Sequence, residues 1–228
     1  MKKILIAAGL IALSTTATAE DYWITQYRAA PGKFPALLDL VSETNWDAFE
    51  QGRPIIMRHS QGNHWDLMLM GKHQDCTSEQ CWSAMSAFED AANELVDFEL
   101  SFLATSDTSW ADMKAKDAVS GFYHIEMFNA GAGKHDALMR QRIIENDYIE
   151  RIGQSPNEIF EVSFGSDFDI FTIGFYESLQ AYSVPADVTQ EEAEAAAKAA
   201  GFKNRADVSF HLRELIIGHH DTLAVKVP

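Results

Sequence analysis

The sequence has few cysteines and few basic residues, and both shortages narrow its possible functions. The chain of 228 residues contains two cysteines, and its 18 Lys and Arg residues stand against 34 Asp and Glu residues, which gives a formal net charge of −16. A surface with this charge repels phosphate backbones and anionic lipid headgroups. We therefore expect no nucleic-acid partner.

Signature motifs of several enzyme classes are also missing. The sequence contains no G-x-G-x-x-G, no P-loop, no H-E-x-x-H and no G-x-S-x-G. These motifs are typical of dinucleotide binding, nucleotide phosphate binding, zinc proteases and serine hydrolases respectively. Enzymes that depend on nucleotide cofactors, and these two kinds of hydrolase, are therefore disfavoured.

Long apolar runs are confined to the N-terminus. Residues 1–19 begin with Lys2 and Lys3, continue with the apolar run Ile4–Leu13 and end in Ala-Thr-Ala before Glu20. This order is typical of a bacterial secretory signal peptide. The run is too short for a permanent membrane span. We expect cleavage near Glu20 and a periplasmic or secreted protein that is not inserted in a membrane.

The two cysteines lie close together in the stretch DCTSEQC, as Cys76 and Cys81. An exported protein folds in a compartment where disulfides persist. The spacing predicts a local Cys76–Cys81 disulfide at the start of a helix. The alternative is that Cys81 is a buried free thiol on the apolar face of that helix.

The chain resembles itself in three places. The similar pairs, in the same order along the chain, are residues 22–33 and 123–134, residues 62–71 and 165–174, and residues 98–108 and 210–222. The second pair reads GNHWDLMLMG and GSDFDIFTIG. Matches that keep their order predict two copies of one structural unit.

Both copies have the same predicted order of elements. An alternating strand leads to a Gly-Lys turn, an amphipathic helix, a hairpin, a second helix and a last strand. The second helix opens on a capping-box pattern at Thr77 and at Thr189, and a further helix is predicted over 206–217. This order, β-α-β-β-α-β, is ferredoxin-like. It predicts an α+β protein with units at 20–116 and 117–228.

The hairpins carry a resemblance to a known superfamily. The segments HWDLML (64–69) and DFDIFT (167–172), with APGK and GAGK after the first strands, resemble the dimeric α/β barrel superfamily. Antibiotic-biosynthesis-monooxygenase-like and chlorite-dismutase-like proteins belong to it. The resemblance implies two sheets closed into one barrel, here within one chain, with pockets between a sheet and its own helices. Activities there range from cofactor-free oxygenation through haem chemistry to plain binding, so the fold leaves function open.

His124 and Glu126 are the candidate catalytic pair. They lie two residues apart on a predicted strand and therefore share one face. A carboxylate beside an imidazole can orient it as a general base or metal ligand. The alternative is a surface pair on a partly exposed strand. The same face of the two first strands carries Trp23, Tyr27 and Phe128, which are candidate ligand-binding aromatics and are otherwise core residues.

The stretch GHHDTLA near the C-terminus supplies candidate metal ligands. His219, His220 and Asp221 are all metal-ligand types. If the last strand lies near the first strand of the second unit, His219 or His220 could approach His124 and Glu126 and form a site of two histidines and one carboxylate. Adjacent strand residues face opposite ways, so the three cannot all bind one ion in a regular strand. The alternative is a helix C-terminus where the histidines complement the dipole.

The first hairpin holds two further histidines, His59 and His64. They flank the turn, so we expect them to be cross-strand neighbours and include them as candidate ligand-binding residues at an anion-binding mouth. Ordinary hairpin polarity is the alternative. Asp66 and Asp169 recur in both copies, and we interpret them as structural carboxylates that accept hydrogen bonds at a strand start.

Three hypotheses on function follow. In the first, a monooxygenase-like oxidoreductase without a tightly bound organic cofactor acts on a small apolar or aromatic molecule, with His124 as base and Glu126 as its orienting group. In the second, the protein is a non-catalytic ligand-binding or stress-response protein. In the third, a divalent metal or a haem is bound by the second-unit histidines. We expect the working pocket in the second unit, and the chain to be a monomer or a homodimer.

Overall fold

The computed structural model describes residues 19–228 of the chain. The predicted signal peptide, apart from Ala19, lies outside the described residues. Glu20, where we expect the mature protein to begin, is the first residue of the first strand.

The first unit follows the predicted order of elements. Its members are β1 (Glu20–Ala29), α1 (Phe34–Glu43), a 3₁₀ turn (Trp46–Ala48), β2 (Ile55–Gln61), β3 (Leu67–Lys72), α2 (Glu79–Asn93) and β4 (Val96–Ser106). Helix α3 (Trp110–Ala118) connects the two units. The predicted boundary between residues 116 and 117 falls inside this helix and stays a prediction.

The second unit has a longer helical segment before its last strand. Its members are β5 (Phe122–Ala130), α4 (His135–Arg151), β6 (Glu158–Phe164), β7 (Ile170–Tyr176), α5 (Leu179–Ser183), α6 (Gln190–Ala200), α7 (Asp207–Arg213) and β8 (Ile216–Lys226). The side chains of Thr189 and Glu192 form the predicted capping box of α6.

The strands close into one barrel in the order β1-β3-β2-β8-β5-β7-β6-β4. Each unit contributes four antiparallel strands, which we call the first half-sheet (β4, β1, β3, β2) and the second half-sheet (β8, β5, β7, β6). The two half-sheets join where β2 pairs with β8 and where β4 pairs with β6. The predicted α+β barrel within one chain is confirmed.

The alternation of side chains along the strands separates the barrel interior from its outer faces. Interior side chains such as Tyr22, Tyr123 and Phe171 form one apolar core that both half-sheets share. The outer face of each half-sheet is covered by its own helices. Leu37 of α1 packs on the first outer face and Leu138 of α4 on the second. An interface between a sheet and its own helices therefore occurs twice in the molecule.

Asp66 and Asp169 hold equivalent hairpins against neighbouring strands. The carboxylate of Asp66 accepts a hydrogen bond from the backbone N–H of Ala29 at 2.8 Å. The carboxylate of Asp169 accepts one from the backbone N–H of Ala130 at 2.7 Å. The structural interpretation of these two residues is confirmed, because each satisfies a backbone donor at the end of a first strand.

The helix predicted over 206–217 is present but shorter, and the third sequence match is wrong. Helix α7 ends at Arg213, and β8 begins at Ile216 and runs for 11 residues. The strand is longer than expected because both of its edges find partners, β5 on one side and β2 on the other. Phe98 lies in β4 whereas Phe210 lies in α7, so these two segments are not equivalent.

The start of the second helix also differs from the prediction. Ser78, not Thr77, is the N-cap of α2, and its hydroxyl accepts a hydrogen bond from the backbone N–H of Cys81. Thr77 is instead bound through its N–H and its hydroxyl to the carboxylate of Glu50. Across residues 19–228, none of the helices is long and apolar enough to cross a membrane.

Candidate functional site

A cavity of about 300 Å³ lies between the outer face of the first half-sheet and the helices that cover it. We call it the first-unit cavity. Aromatic rings from strand, turn and helix line it, namely Trp23, Tyr27, Trp46, Phe49, Trp82 and Phe88. The rings of Trp46 and Phe88 lie 5.2 Å apart, and those of Trp46 and Phe49 lie 5.0 Å apart. These rings pack against each other, so the walls of the cavity are rigid and keep the space open.

The sheet side of the first-unit cavity carries a short chain of polar groups. The hydroxyls of Thr25 and Ser101 lie 2.9 Å apart on the neighbouring strands β1 and β4. The Ser101 hydroxyl also donates to the Glu99 carboxylate at 3.1 Å. Burial raises the pKa of the Tyr27 phenol well above its ordinary value, and Glu99 and Glu89 add to this effect. Tyr27 is therefore a neutral group at physiological pH.

The rim of the first-unit cavity is held by covalent and polar contacts. Cys76 and Cys81 form a disulfide that joins the β3–α2 loop to the first turn of α2. The Glu50 carboxylate accepts hydrogen bonds from the backbone N–H groups of Thr77 and Ser78. A hydrogen bond from the Ser78 side chain lowers the pKa of Glu50, and the bonds from the Thr77 side chain and the two backbone groups add to this effect. The loop that borders the cavity is thus fixed where it enters α2.

The same outer position in the second half-sheet is occupied by ionisable groups. Glu126 of β5 lies opposite Asp221 of β8 in the antiparallel register, as Thr25 lies opposite Ser101. His124 lies two residues before Glu126, and its Nε2 atom is 3.7 Å from a carboxylate oxygen of Asp221. His124 and Glu126 lie side by side on one face of β5, as their spacing predicts. Asp221 lies beside them on the neighbouring strand β8.

Two imidazoles flank the Asp221 carboxylate. The Nε2 atom of His219 lies 3.1 Å from its second oxygen. Contact with His124 holds the pKa of Asp221 below its ordinary value, with a further contribution from His219, although burial acts in the opposite direction. Asp221 is therefore a carboxylate at neutral pH.

A buried arginine fills the space beneath α4 in the second unit. Arg142 has 2% of its side chain exposed, and its guanidinium lies 4.6 Å from the centre of the Phe128 ring. It pairs with the carboxylate of Glu145 and lies 3.7 Å from that of Glu126. Its Nε donates to the Gln141 side chain at 2.7 Å. Burial raises the pKa of Glu145, although Arg142 opposes this.

The candidate ligand-binding residues do not share one site. Trp23 and Tyr27 line the first-unit cavity. Phe128 lies on the other half-sheet, beneath Arg142 and stacked against His219 at 5.7 Å. The hairpin histidines lie away from both places. His59 packs beside the core residue Trp65, and burial lowers its pKa, while His64 is exposed next to Phe98.

The predicted metal set of His219, His220 and Asp221 does not converge. All three lie within β8, so successive side chains point to opposite faces of the sheet. His219 and Asp221 share the outer face, whereas His220 approaches the interior residue Phe168 at 6.2 Å. The alternative interpretation as a helix C-terminus is wrong, because α7 ends before this segment.

Several residues of these two places were not singled out in the sequence. Glu99 and Ser101 share a strand face, but this spacing is common in exposed strands and gives no separate signal. Arg142 and Glu145 are three residues apart on α4, which is the spacing of an ordinary surface ion pair on a helix. The burial of Arg142 is what distinguishes this pair, and no sequence pattern contains that information.

Structural comparison agrees with this architecture. The fold is the dimeric α/β barrel. An anthrone oxidase-like protein aligns with a TM-score of 0.59 and 11% identity, over 96% of this chain and 94% of that one. A candidate monooxygenase from Fusobacterium nucleatum aligns with a TM-score of 0.57 and 9% identity, over 93% and 94%. A candidate chlorite dismutase aligns with a TM-score of 0.54 and 13% identity, over 92% and 96%.

At such identities the barrel is shared and the activity is left open. No protein-family model matches the chain, and no curated protein matches its sequence. The function therefore has to be argued from the side chains of the two outer faces.

A haem does not fit the residues of the second half of the barrel. Arg142, Gln141 and Glu145 already fill the space over Phe128. An open groove of about 550 Å³ lies beside it, between α4 and β6. Its described lining contains five carboxylates and, apart from the thioether of Met139, no side chain of a type that ligates haem iron. Those carboxylates also repel haem propionates, so we derive no chemistry through haem.

Proposed function

We propose that the protein binds one small, flat, apolar or aromatic molecule in the first-unit cavity. The observation that carries this proposal is the lining of six aromatic side chains around about 300 Å³ of space. Pockets for small organic ligands are of this size and composition, with a few polar groups that fix orientation. Ring-to-ring contacts favour a planar ligand over a branched aliphatic one.

The polar chain on the sheet side gives the ligand one preferred orientation. The Glu99 carboxylate accepts from Ser101 at 3.1 Å, and a carboxylate has capacity for further donors. A ligand with a hydroxyl or N–H group at one edge would therefore bind with that edge towards Glu99. The protonated Tyr27 phenol, kept neutral by burial, can donate to a carbonyl on the same ligand.

Comparison supports a choice of probe. The anthrone oxidase-like structure and the candidate monooxygenases share this barrel, so anthrone, a flat tricyclic ketone, is a suitable first probe. Its carbonyl would face Tyr27, and its rings would lie among the aromatic side chains.

A monooxygenase-like reaction without a tightly bound organic cofactor is the second candidate function. The observation that favours it is the Glu99 carboxylate on the sheet side of an apolar cavity. Such a base could take a proton from an acidic C–H of the ligand. The carbanion could then form a C–O bond with dissolved dioxygen, which gives a hydroperoxide after the proton returns. Loss of the second C–H proton and cleavage of the O–O bond would give a carbonyl and water, so dioxygen is the oxidant for the two electron pairs. His124 and Glu126 lie on the other half-sheet, so they would not contact this ligand.

Binding can be tested with two neutral probes, anthrone and the fluorophore N-phenyl-1-naphthylamine. We expect saturable binding of one molecule per chain, with quenching of tryptophan fluorescence because Trp23, Trp46 and Trp82 line the cavity. The variant Met85→Trp places a large ring inside the cavity and should abolish binding. The matched variant Ser86→Trp adds the same ring to the exposed side of α2 and should leave it unchanged.

Two outcomes would overturn the binding proposal, namely no saturable binding of either probe or equal affinity in Met85→Trp and the wild type. Consumption of dioxygen with anthrone, lost in Glu99→Gln while binding persists, would support the second candidate. Binding without any consumption of dioxygen would leave only the first.

We also propose that the protein acts outside the cytoplasm, with residues 1–19 removed. The Lys-led apolar start of the sequence supports export, and so does the Cys76–Cys81 disulfide. Expression of the full chain in a bacterium should yield periplasmic protein whose N-terminal residue is Glu20. Retention of the uncleaved chain in the cytoplasm would contradict this proposal.

A further inference from the structure

We propose that His124, Glu126 and Asp221 bind one divalent transition-metal ion on the outer face of the second half-sheet. One possible ligand atom from each of these residues lies within 4.8 Å of the others. The site is separate from the first-unit cavity and does not depend on the function proposed for that cavity.

The backbone brings the three ligands together. His124 and Glu126 are two residues apart on β5, so their side chains leave the same face. Asp221 is the direct partner of Glu126 in the β5–β8 ladder. Strand β5 is paired on both sides, with β7 and with β8. Ligands on such strands are held more rigidly than ligands on loops.

Neighbouring groups orient the ligands. The His124 ring packs against Tyr182 with centroids 5.2 Å apart. Asp221 has one oxygen 3.7 Å from His124 and its other oxygen 3.1 Å from His219. The His219 ring is itself stacked on Phe128. An imidazole that binds the outer oxygen of a ligating carboxylate is the kind of supporting contact that tunes metal sites.

The local charge balance favours a cation. The guanidinium of Arg142 lies beside the carboxylates of Glu126 and Glu145. Within residues 19–228, Asp221 forms ion pairs with the imidazoles of His124 and His219 and with no guanidinium or ammonium group. Partly buried carboxylates are costly without a compensating charge. A divalent ion between Asp221, Glu126 and His124 would supply that charge where Arg142 does not reach.

The donor atoms indicate the class of metal. One imidazole nitrogen and two carboxylates suit Zn²⁺, Mn²⁺ or Fe²⁺, while Mg²⁺ and Ca²⁺ prefer oxygen donors alone. Asp221 has 54% of its side chain exposed and His124 only 17%. The ion would therefore enter from the Asp221 side and keep water on its open positions. The equivalent positions of the first half-sheet hold Trp23, Thr25 and Ser101, which offer no comparable set.

The test uses the folded protein after dialysis against a chelator, with Zn²⁺ or Mn²⁺ alone as the probe. Isothermal titration should give one ion per chain. Asp221→Asn and His124→Gln should each weaken binding by about tenfold or more. Asp221 is largely exposed, so its variant keeps the fold, which circular dichroism checks. His64→Gln removes an exposed histidine elsewhere and should bind the ions as the wild type does.

A second measurement separates a built site from weak surface binding. Co²⁺ in place of the ion should give visible absorption bands of protein-bound cobalt, and these bands should be lost in Asp221→Asn. Binding that is not saturable at one ion per chain, or affinities in both variants equal to that of the wild type, would overturn the metal site. Neither result involves the organic probes, so failure here leaves the cavity proposal untouched.

Discussion

The Thr25 hydroxyl lies 2.9 Å from the Ser101 hydroxyl across β1 and β4. At the equivalent register position of the second half-sheet, Glu126 of β5 lies opposite Asp221 of β8. One scaffold position thus holds a neutral hydroxyl pair in the first unit and two carboxylates in the second. The first unit keeps an aromatic cavity over its pair, while in the second a buried guanidinium compensates part of the charge.

The disulfide should matter for ligand binding and moderately for stability. It spans five residues in sequence, and closing so short a loop stabilises the folded state by about 2 kcal/mol in the chain-entropy model. We expect Cys76→Ser with Cys81→Ser to lower the free energy of unfolding by that amount, measured by urea unfolding. The double variant should also bind the probes more weakly, because the loop at the cavity rim is released. Reducing agent should affect the wild type but not the double variant. A double variant that binds and unfolds as the wild type does would contradict this expectation.

The two hairpin aspartates form a matched pair for a stability test. Each accepts a backbone hydrogen bond at 2.7–2.8 Å. Asp66→Ala and Asp169→Ala should each destabilise the protein by about 1–3 kcal/mol, since each leaves a backbone donor without its partner. The corresponding Asn variants keep an acceptor oxygen and should cost less. Equal losses for Ala and Asn, measured by urea unfolding, would show that these hydrogen bonds are not the cause.

Arg142 and Arg151 lie on the same helix and should differ in their energetic role. Arg142 has 2% of its side chain exposed, while Arg151 pairs with Asp147 at the surface. Arg142→Met leaves buried carboxylates uncompensated and should cost about 3–5 kcal/mol. Arg151→Met should change the free energy of unfolding little, because water screens its surface ion pair with Asp147.

A second variant checks the cause of the Arg142 effect. Adding Glu145→Gln to Arg142→Met removes one uncompensated carboxylate and should restore part of the lost stability. No recovery in the free energy of unfolding would mean that lost packing, rather than charge, explains the cost.

Alkaline pH should destabilise the protein through its buried phenols. Burial raises the pKa of Tyr27 above its ordinary value of 10.0, so the folded state keeps the proton that the unfolded chain releases. Its stabilising effect is therefore complete below pH 10 and declines as the pH rises above that value. Tyr27→Phe should make this decline shallower by about 1.4 kcal/mol per pH unit. Unfolding curves measured between pH 9 and pH 11 that keep the wild-type slope would contradict the prediction.

Much of the fold could be predicted from local patterns. Alternation in the strand that contains Tyr22, and the glycine turns at Gly62 and Gly165, depend on residues close in sequence. Closure of the barrel followed from the resemblance and not from any local pattern. The sequence does not show where α7 ends, because the apolar residues of the segment from Phe210 serve both α7 and β8. Only the pairing of β8 with β5 and β2 decides it.

The candidate site could be predicted only in part. His124 and Glu126 are neighbours by strand spacing alone, whereas the position of Asp221 depends on the register between two strands far apart in the chain. Whether the space between a sheet and its helix is open or filled depends on how the helix is rotated about its axis. The sequence does not show that Arg142 points inward and fills this space in the second unit. It therefore does not show that the open cavity lies in the first unit.

One chain supplies all eight strands of the barrel, so its two halves need not be identical in sequence. In a barrel made by two identical chains, every substitution appears on both outer faces, and any site is present twice. Here a change such as Thr25 to a carboxylate would alter one face and leave the other as it was. The two faces can therefore respond to different molecules, and occupancy of each can be varied independently within one folded unit.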